Sequence, residues 1–283
     1  MPHGSAPAPT PSGFVERRDV AAASHRNRRR ARAIAALPGV VVFGVVALVL
    51  TGVGAPLAGL VAGAAAGAFL WATVWLGASS FVLRSLHARR ADEEDLPGAY
   101  NLVEGLCASM GLRLPAMWVV DDEIRDALAL GRGPRTAALV LTSGLADALG
   151  PVAMEGVLAH ELTHVKRGDV APATMSAALL MPLAVFLPGM GALVHRAAGR
   201  GREFDADRLA VAVTRYPPGL REALSEMVSG PLPRTRSLLA GSAVARTTRW
   251  LWTVSLPVAV TATSQVVGEL DAAPVRIAAL DEW

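Results

Sequence analysis

A chain of 283 residues, 52% hydrophobic but only 18% charged, is long enough to bury its own core, and against the roughly 25% charge of an average soluble domain its composition puts part of it in lipid. Its single cysteine, Cys107, excludes an internal disulfide and reads as a small buried apolar side chain. The net charge of +3 and pI near 9.7 raise nucleic acid as a partner. The arginines behind them, however, cluster in HRNRRRAR, His25 to Arg32, directly beside an apolar run. There they meet anionic lipid headgroups, and no nucleic acid is expected.

Residues 1–32 begin with Pro, Ser, Gly and Ala and end in that arginine tract, which predicts a disordered, basic cytoplasmic tail. From Ala33 to Leu83 there is no Asp, Glu, Lys, Arg or His, more than twice the roughly 20 residues one helical crossing needs. Gly52, Gly54 and Pro56 interrupt the run, so residues 33–83 read as a transmembrane hairpin of Ile34–Val53 and Leu57–Leu83. A cleaved signal is set aside, because a signal's apolar core is only about 7 to 15 residues long. Arg26, Arg28, Arg29, Arg30 and Arg32 precede the hairpin and Arg84, Arg89 and Arg90 follow it. Excess positive charge marks cytoplasmic flanks, so both ends are expected to face the cytoplasm.

Residues 84–283 have the texture of a globular domain. Leu102, Leu106 and Met110 predict a helix over Ala99–Met110. Met117–Val120 and Ala137–Leu141 read as strands, with a Gly-rich turn at Gly131 to Gly133 between them. Pro151 after Gly150 opens the next helix, anchored by a stripe of Val157, Leu158, Leu162 and Val165. That helix carries HELTH. His160 and His164, four apart, share a face and can converge on one tetrahedral zinc. Glu161 beside them can act as general base toward a water that the metal acidifies.

A catalytic zinc takes three protein ligands and keeps one position open. His195 is one candidate for the third. Glu203, in GREFDADRLA, is the better one, because Asp207 stands four residues further on. One carboxylate can take the metal while the other reaches a ligand histidine's free N–H.

Between the two motifs, residues 170–194 are uncharged and long enough to cross a bilayer once. A single crossing would separate Glu203 from the histidines. We therefore expect a membrane-apposed helical pair, broken near Pro182 or Pro188. Trp250 to Gly268 is uncharged but dotted with Thr and Ser, and reads as a segment packed on the domain, with Trp250 and Trp252 at headgroup level.

HELTH followed by EFDAD behind a membrane hairpin resembles the HtpX-like membrane zinc metallopeptidases, relatives of the CaaX prenyl proteases. LPAMWVV, DALALG at Asp126 to Gly131, LVLTSGL and HVKRGD are similar in the family's order. The resemblance implies a mainly α fold with a small β-sheet, the N-terminal transmembrane helical hairpin leading into a zincin-type (gluzincin) metallopeptidase domain. It implies His160, His164 and Glu203 as ligands of one zinc per chain, Glu161 as catalytic base and Asp207 as orienter of a ligand histidine. The chain is then a multi-pass protein of the cytoplasmic membrane, its polypeptide substrate adding as a strand near Asp126 to Leu130. Two departures stand out. Asp126 replaces the family's Asn, and DAAPVRIAALDEW, Asp271 to Trp283, lacks the family's histidine, with Arg276 as its nearest substitute. A pseudoprotease or membrane scaffold, and a zinc hydrolase of non-peptide substrates, are the alternative functions.

Overall fold

The computed structural model describes residues 13–186, 202–230, 248, 251–254 and 272–283. Helix α1 runs Gly13–Gly52, 40 residues, and is therefore roughly 60 Å long against a hydrocarbon core of about 30 Å. Helix α2, Pro56–Ser85, returns after a turn in which Gly54 takes φ +85°, a left-handed conformation that suits glycine. Among the described residues, two helical segments contain a stretch apolar and long enough to cross a membrane, Val20–Gly52 and Pro56–Ser85, and in the first the residues without charge begin at Ala33. They pack closely at glycines: a Cβ built on Gly67 would stand 2.6 Å from the carbonyl oxygen of Gly39. Without a hydrophobic drive between helices in lipid, such close backbone approach is what holds a pair together. Leu48, Leu57, Val61 and Phe69 point outward, exposed, as lipid-facing side chains do.

The hairpin matches expectation, but the tail does not. Residues 13–32 are helical and continue α1 without a break, where a disordered tail was expected. Residues 1–12 lie outside the described residues.

After α2 come β1 (Arg89–Arg90), α3 (Pro97–Met110), β2 (Ala116–Val120), β3 (Ala127–Leu130), a short 3-10 turn at Pro134–Thr136 and β4 (Ala138–Thr142). They form one sheet in the order β1-β2-β4-β3. β2 runs parallel to β4 with Met117 opposite Leu139, and β3 antiparallel to it with Leu128 opposite Val140. β3 thus falls between the two predicted strands in sequence but lies outside them in the sheet, as an edge strand. The sheet is covered on both faces. Met117, Ala127, Ala129, Leu139 and Leu141 share a core with α3 and the metal-motif helix. Val120, Leu128, Leu130 and Val140 face Val82, Leu83 and Leu86 at the end of α2. Burial on two faces explains why β3 and β4 read as continuous apolar runs.

The remaining helices are α4 (Ser143–Ala148), α5 (Pro151–Arg167), α6 (Val170–Phe186), α7 (Arg202–Thr214), α8 (Pro217–Ser229) and α9 (Ala273–Glu282). α5 is the central one, buried along most of its length among α3, α7 and α8. α8 comes so close that a Cβ on Gly156 would stand 2.7 Å from the Leu220 backbone. α6 packs through Ala171 and Met175 against Ala31, Ala35 and Ala78 of the hairpin. Pro182 lies inside α6, so of the two expected break points the first is not one. Proline removes one backbone donor, a loss a helix tolerates where neighbours satisfy the freed carbonyl. Pro188 and His195 lie outside the described residues. Trp252 is also corrected: it is fully buried in the core formed by α2, the sheet and α6 rather than at headgroup level. Trp250 lies outside the described residues.

Candidate metal centre

Gly150 and Pro151 start α5, and Gly168, at φ +74°, ends it with a left-handed cap. Between them the apolar stripe of Val157, Leu158, Leu162 and Val165 is fully buried, which fixes the rotation of the helix about its axis. His160 and His164 therefore emerge on one face. α7 crosses that face and brings Glu203 from its first turn.

The three donor atoms form a nearly equilateral triangle. His160 Nε2 lies 3.2 Å from His164 Nε2 and 3.2 Å from Glu203 Oε2, and His164 Nε2 lies 3.4 Å from the same oxygen. Ligands about 2.0 to 2.1 Å from a tetrahedral zinc stand about 3.3 Å apart. Two imidazoles and one carboxylate also suit zinc chemically. The donor set fits the ion in both geometry and kind.

Behind each histidine stands a carboxylate. Asp207 Oδ1 lies 2.8 Å from His160 Nδ1, a close contact not aligned as a full hydrogen bond. Asp169 Oδ2 lies 3.1 Å from His164 Nδ1. With both Nδ1 atoms turned to carboxylates, both Nε2 atoms are left for the common point, which is how metal-binding histidines are held. Asp207 is itself gripped. Arg276 donates from Nε and Nη2 to its two oxygens, each at 2.7 Å, and from Nη1 to the Thr253 carbonyl at 2.6 Å. Arg276 therefore serves as a buried clamp on Asp207, with Nη1 3.9 Å from Glu203 Oε2, rather than as a free donor for substrate.

Glu161 is buried. It accepts a hydrogen bond from the Thr253 hydroxyl at 2.6 Å. Thr253 is pinned to the edge of β3, its backbone N–H donating to the Ala127 carbonyl at 3.0 Å. The next N–H, of Val254, reaches Asp126 Oδ1 at 3.2 Å. The backbone of Thr253 thus holds a carbonyl on the edge where substrate was expected to add.

Electrostatics follow from this packing. Burial opposes charge on His164, but the charge of Glu203 and the bonds to Asp169 and Glu203 outweigh it and push its pKa up to about 9. His160 is raised in the same way: burial opposes charge, and contacts with Asp207 and Glu203 overcome it. For Glu203, burial is overridden by the charges of His164 and Arg202, which hold the carboxyl well below its usual range. Two histidines that favour a proton mark a pocket that attracts positive charge at the triangle. A dication held by His160, His164 and Glu203 would meet that demand in place of the protons. Asp126 is the opposite case. Burial dominates and raises its carboxyl well above the ordinary value, against the opposing bonds from the Ala127 and Val254 N–H groups.

The structure brings His160, His164, Glu203, Asp207 and Glu161 into one site. Sequence reasoning missed Asp169, Thr253 and the stem of α1. Asp169 had a signal in the Gly-Asp that ends the motif helix: a left-handed Gly168 folds residue 169 back onto residue 164, with the Asp169 N–H on the His164 carbonyl at 3.2 Å. Thr253 had none, lying in a run of uncharged polar residues.

A family model described as Peptidase family M48 matches residues 100–283. Among curated proteins, a "Protease HtpX homolog" of Dictyoglomus thermophilum is 30% identical over 193 residues, covering 56% of this chain and 64% of that protein. The homolog of Paraburkholderia phytofirmans is 31% identical over 174 residues, 52% of this chain and 61% of that protein. That of Tropheryma whipplei is 32% identical over 187 residues, 54% and 64%. The chain thus spans less than two thirds of the length of these curated relatives. No solved structure matches.

Proposed function

The chain belongs to peptidase family M48 and is HtpX-like, and from that premise we propose that it is a membrane-anchored zinc endopeptidase acting on membrane or misfolded proteins. The observation that carries the reading is the triangle of His160 Nε2, His164 Nε2 and Glu203 Oε2, whose sides of 3.2, 3.2 and 3.4 Å match the spacing of ligands on one tetrahedral zinc. Residues 33–83 form the anchor and 84–283 the peptidase domain, with the arginine-flanked ends in the cytoplasm.

His160, His164 and Glu203 would hold the ion, and Asp207 and Asp169 hold the two rings. Zinc supplies Lewis acidity there, polarising a carbonyl and acidifying water. Glu161 takes the proton from the attacking water and returns it to the leaving amine, which releases the new N-terminus. Thr253 donates to Glu161 Oε1 and so fixes one oxygen of the base, leaving the other free for the proton. The buried surroundings of Glu161 and His160 exclude bulk water, which strengthens every charge interaction at the reacting centre.

A weak or inactive protease that keeps its metal is the second reading. The bond from the Thr253 N–H to the Ala127 carbonyl favours it, because an incoming strand must compete for that edge. Purified protein in detergent separates the two. We expect close to one zinc per chain and cleavage of an unfolded protein such as casein, with Glu161→Gln keeping the zinc and losing about 100-fold or more of the rate. Zinc without Glu161-dependent cleavage would move the assignment to the inactive reading, and absence of zinc would refute both.

A further inference from the structure

Helix α1 extends as a stem on the N-terminal side of its uncharged run, which begins at Ala33, and small residues line one face across that junction. Ala23, Ala31 and Ala35 are buried, and Asn27 lies in step between them at the four-residue spacing of a single helix face. Alanines let the stem approach the end of α5 closely. A Cβ on Gly168 would stand 3.2 Å from Ser24 Oγ and 3.4 Å from Ser24 Cα.

At that contact Asn27 makes two hydrogen bonds through one nitrogen. Its Nδ2 donates to the Arg167 carbonyl at 3.2 Å and to Asp169 Oδ1 at 3.0 Å. The first serves one of the carbonyls left without a partner at the end of α5. The second reaches the carboxylate whose other oxygen, Oδ2, stands 3.1 Å from His164 Nδ1. An unbroken path therefore runs from α1 through Asn27 and Asp169 to His164.

The identity of the residue matters. Asn27 sits in a tract where Arg26, Arg28, Arg29 and Arg30 surround it. An arginine there would set a full positive charge against Asp169 and weaken its pull on the histidine. Arg167 Nε already stands 3.5 Å from Asp169 Oδ2, and a neutral amide orients the carboxylate without setting a further positive charge against it. Groups that support a metal-binding histidine in this way set ligand orientation and basicity.

We propose that Asn27 is a positioning residue of the metal centre: the anchor helix holds Asp169, Asp169 holds His164, and metal affinity depends on the seating of the α1 stem. The inference rests on the zinc reading given above. It ties a ligand of the peptidase domain to the helix that enters the membrane, so that a shift of α1 is felt at the metal.

The test uses the full chain in detergent, with zinc affinity measured by competition against a chromophoric chelator and the visible spectrum of the Co2+ form as a second readout. Asn27→Ala is expected to weaken zinc binding about 10-fold, the lower end of what loss of such a supporting group costs, and to change the Co2+ bands. Arg29→Ala, on the exposed side of the same stem, is expected to do neither. A double-mutant cycle with Asp169→Ala gives the route: the Asn27→Ala effect should vanish in the Asp169→Ala background. Circular dichroism of the zinc-free variants reports whether the fold is kept. Wild-type affinity and spectrum in a folded Asn27→Ala protein would overturn the proposal while leaving the zinc reading intact. An Asn27→Ala loss that persists without Asp169 would overturn the route. Failure of the wild type itself to bind zinc would instead refute the reading on which the proposal stands.

Discussion

Replacing Arg276 with methionine keeps an unbranched stem out to about the position of Nε and removes the guanidinium that grips Asp207. Both side chains are 1% exposed, so water cannot take over the lost bonds. Asp207 would lose two charge-assisted hydrogen bonds of 2.7 Å, and the Thr253 carbonyl would lose one of 2.6 Å. Breaking a buried ion pair from one side costs about 3–5 kcal/mol, because the remaining charge stays buried without its counterpart. At about 2–4 °C per kcal/mol for a domain of roughly 200 residues, the thermal midpoint should fall by about 6–20 °C. The measurement is thermal unfolding of zinc-free protein in detergent, followed by circular dichroism. The double variant Asp207→Asn, Arg276→Met removes both charges and should recover most of the loss, since a pair deleted together leaves no stranded charge. A single variant within 2 °C of wild type, or a double variant no better than the single, would refute the argument that Arg276 stabilises by pairing a buried carboxylate.

Two further outcomes follow from groups outside the triangle. Burial raises the Asp126 carboxyl well above its ordinary value, whereas in the unfolded chain it ionises near pH 4; as pH rises above that point the unfolded state releases a proton the folded state keeps, and stability falls. Asp126→Asn does not titrate and retains an oxygen for the N–H groups of Ala127 and Val254, so its advantage in thermal midpoint over wild type should grow from pH 4 to pH 8; a constant or shrinking difference would mean Asp126 is ionised in the fold. Gly67→Leu would drive a Cβ to 2.6 Å from the Gly39 carbonyl oxygen, which is backbone and cannot yield, and should destabilise the hairpin by about 1–3 kcal/mol; Gly44→Leu, whose Cβ meets nothing within 4 Å, should be neutral in the same unfolding assay.

What was legible in the sequence was whatever carried a strong local signal. The hairpin declared itself through a run without charge, and α5 through Pro151 and its apolar stripe. Glu203 and Asp207 could be grouped with the histidines because helix periodicity and metal chemistry restrict the options to a few residues. The α1 stem was misread because its composition is that of a solvated tail. Its buried face consists of Ala23, Ala31 and Ala35, and alanine on one side of an alanine-rich helix leaves no hydrophobic periodicity to detect. Thr253 and Arg276 enter the site through tertiary contacts spanning up to 126 residues of sequence, which no local pattern encodes. The role of Arg276 as a clamp on Asp207 could be seen only once α7 and α9 were placed together.

The continuity of α1 also fixes a length. From Asn27, which touches the support of His164, to Ala33, where the uncharged run begins, a helix rises roughly 9 Å along its axis. That is about three residues of extended chain. On the proposed reading, the anchor works as a ruler with its zero where the uncharged run begins. If the chain cuts membrane proteins as proposed, a bond would have to lie at least about that far from the bilayer to meet this centre.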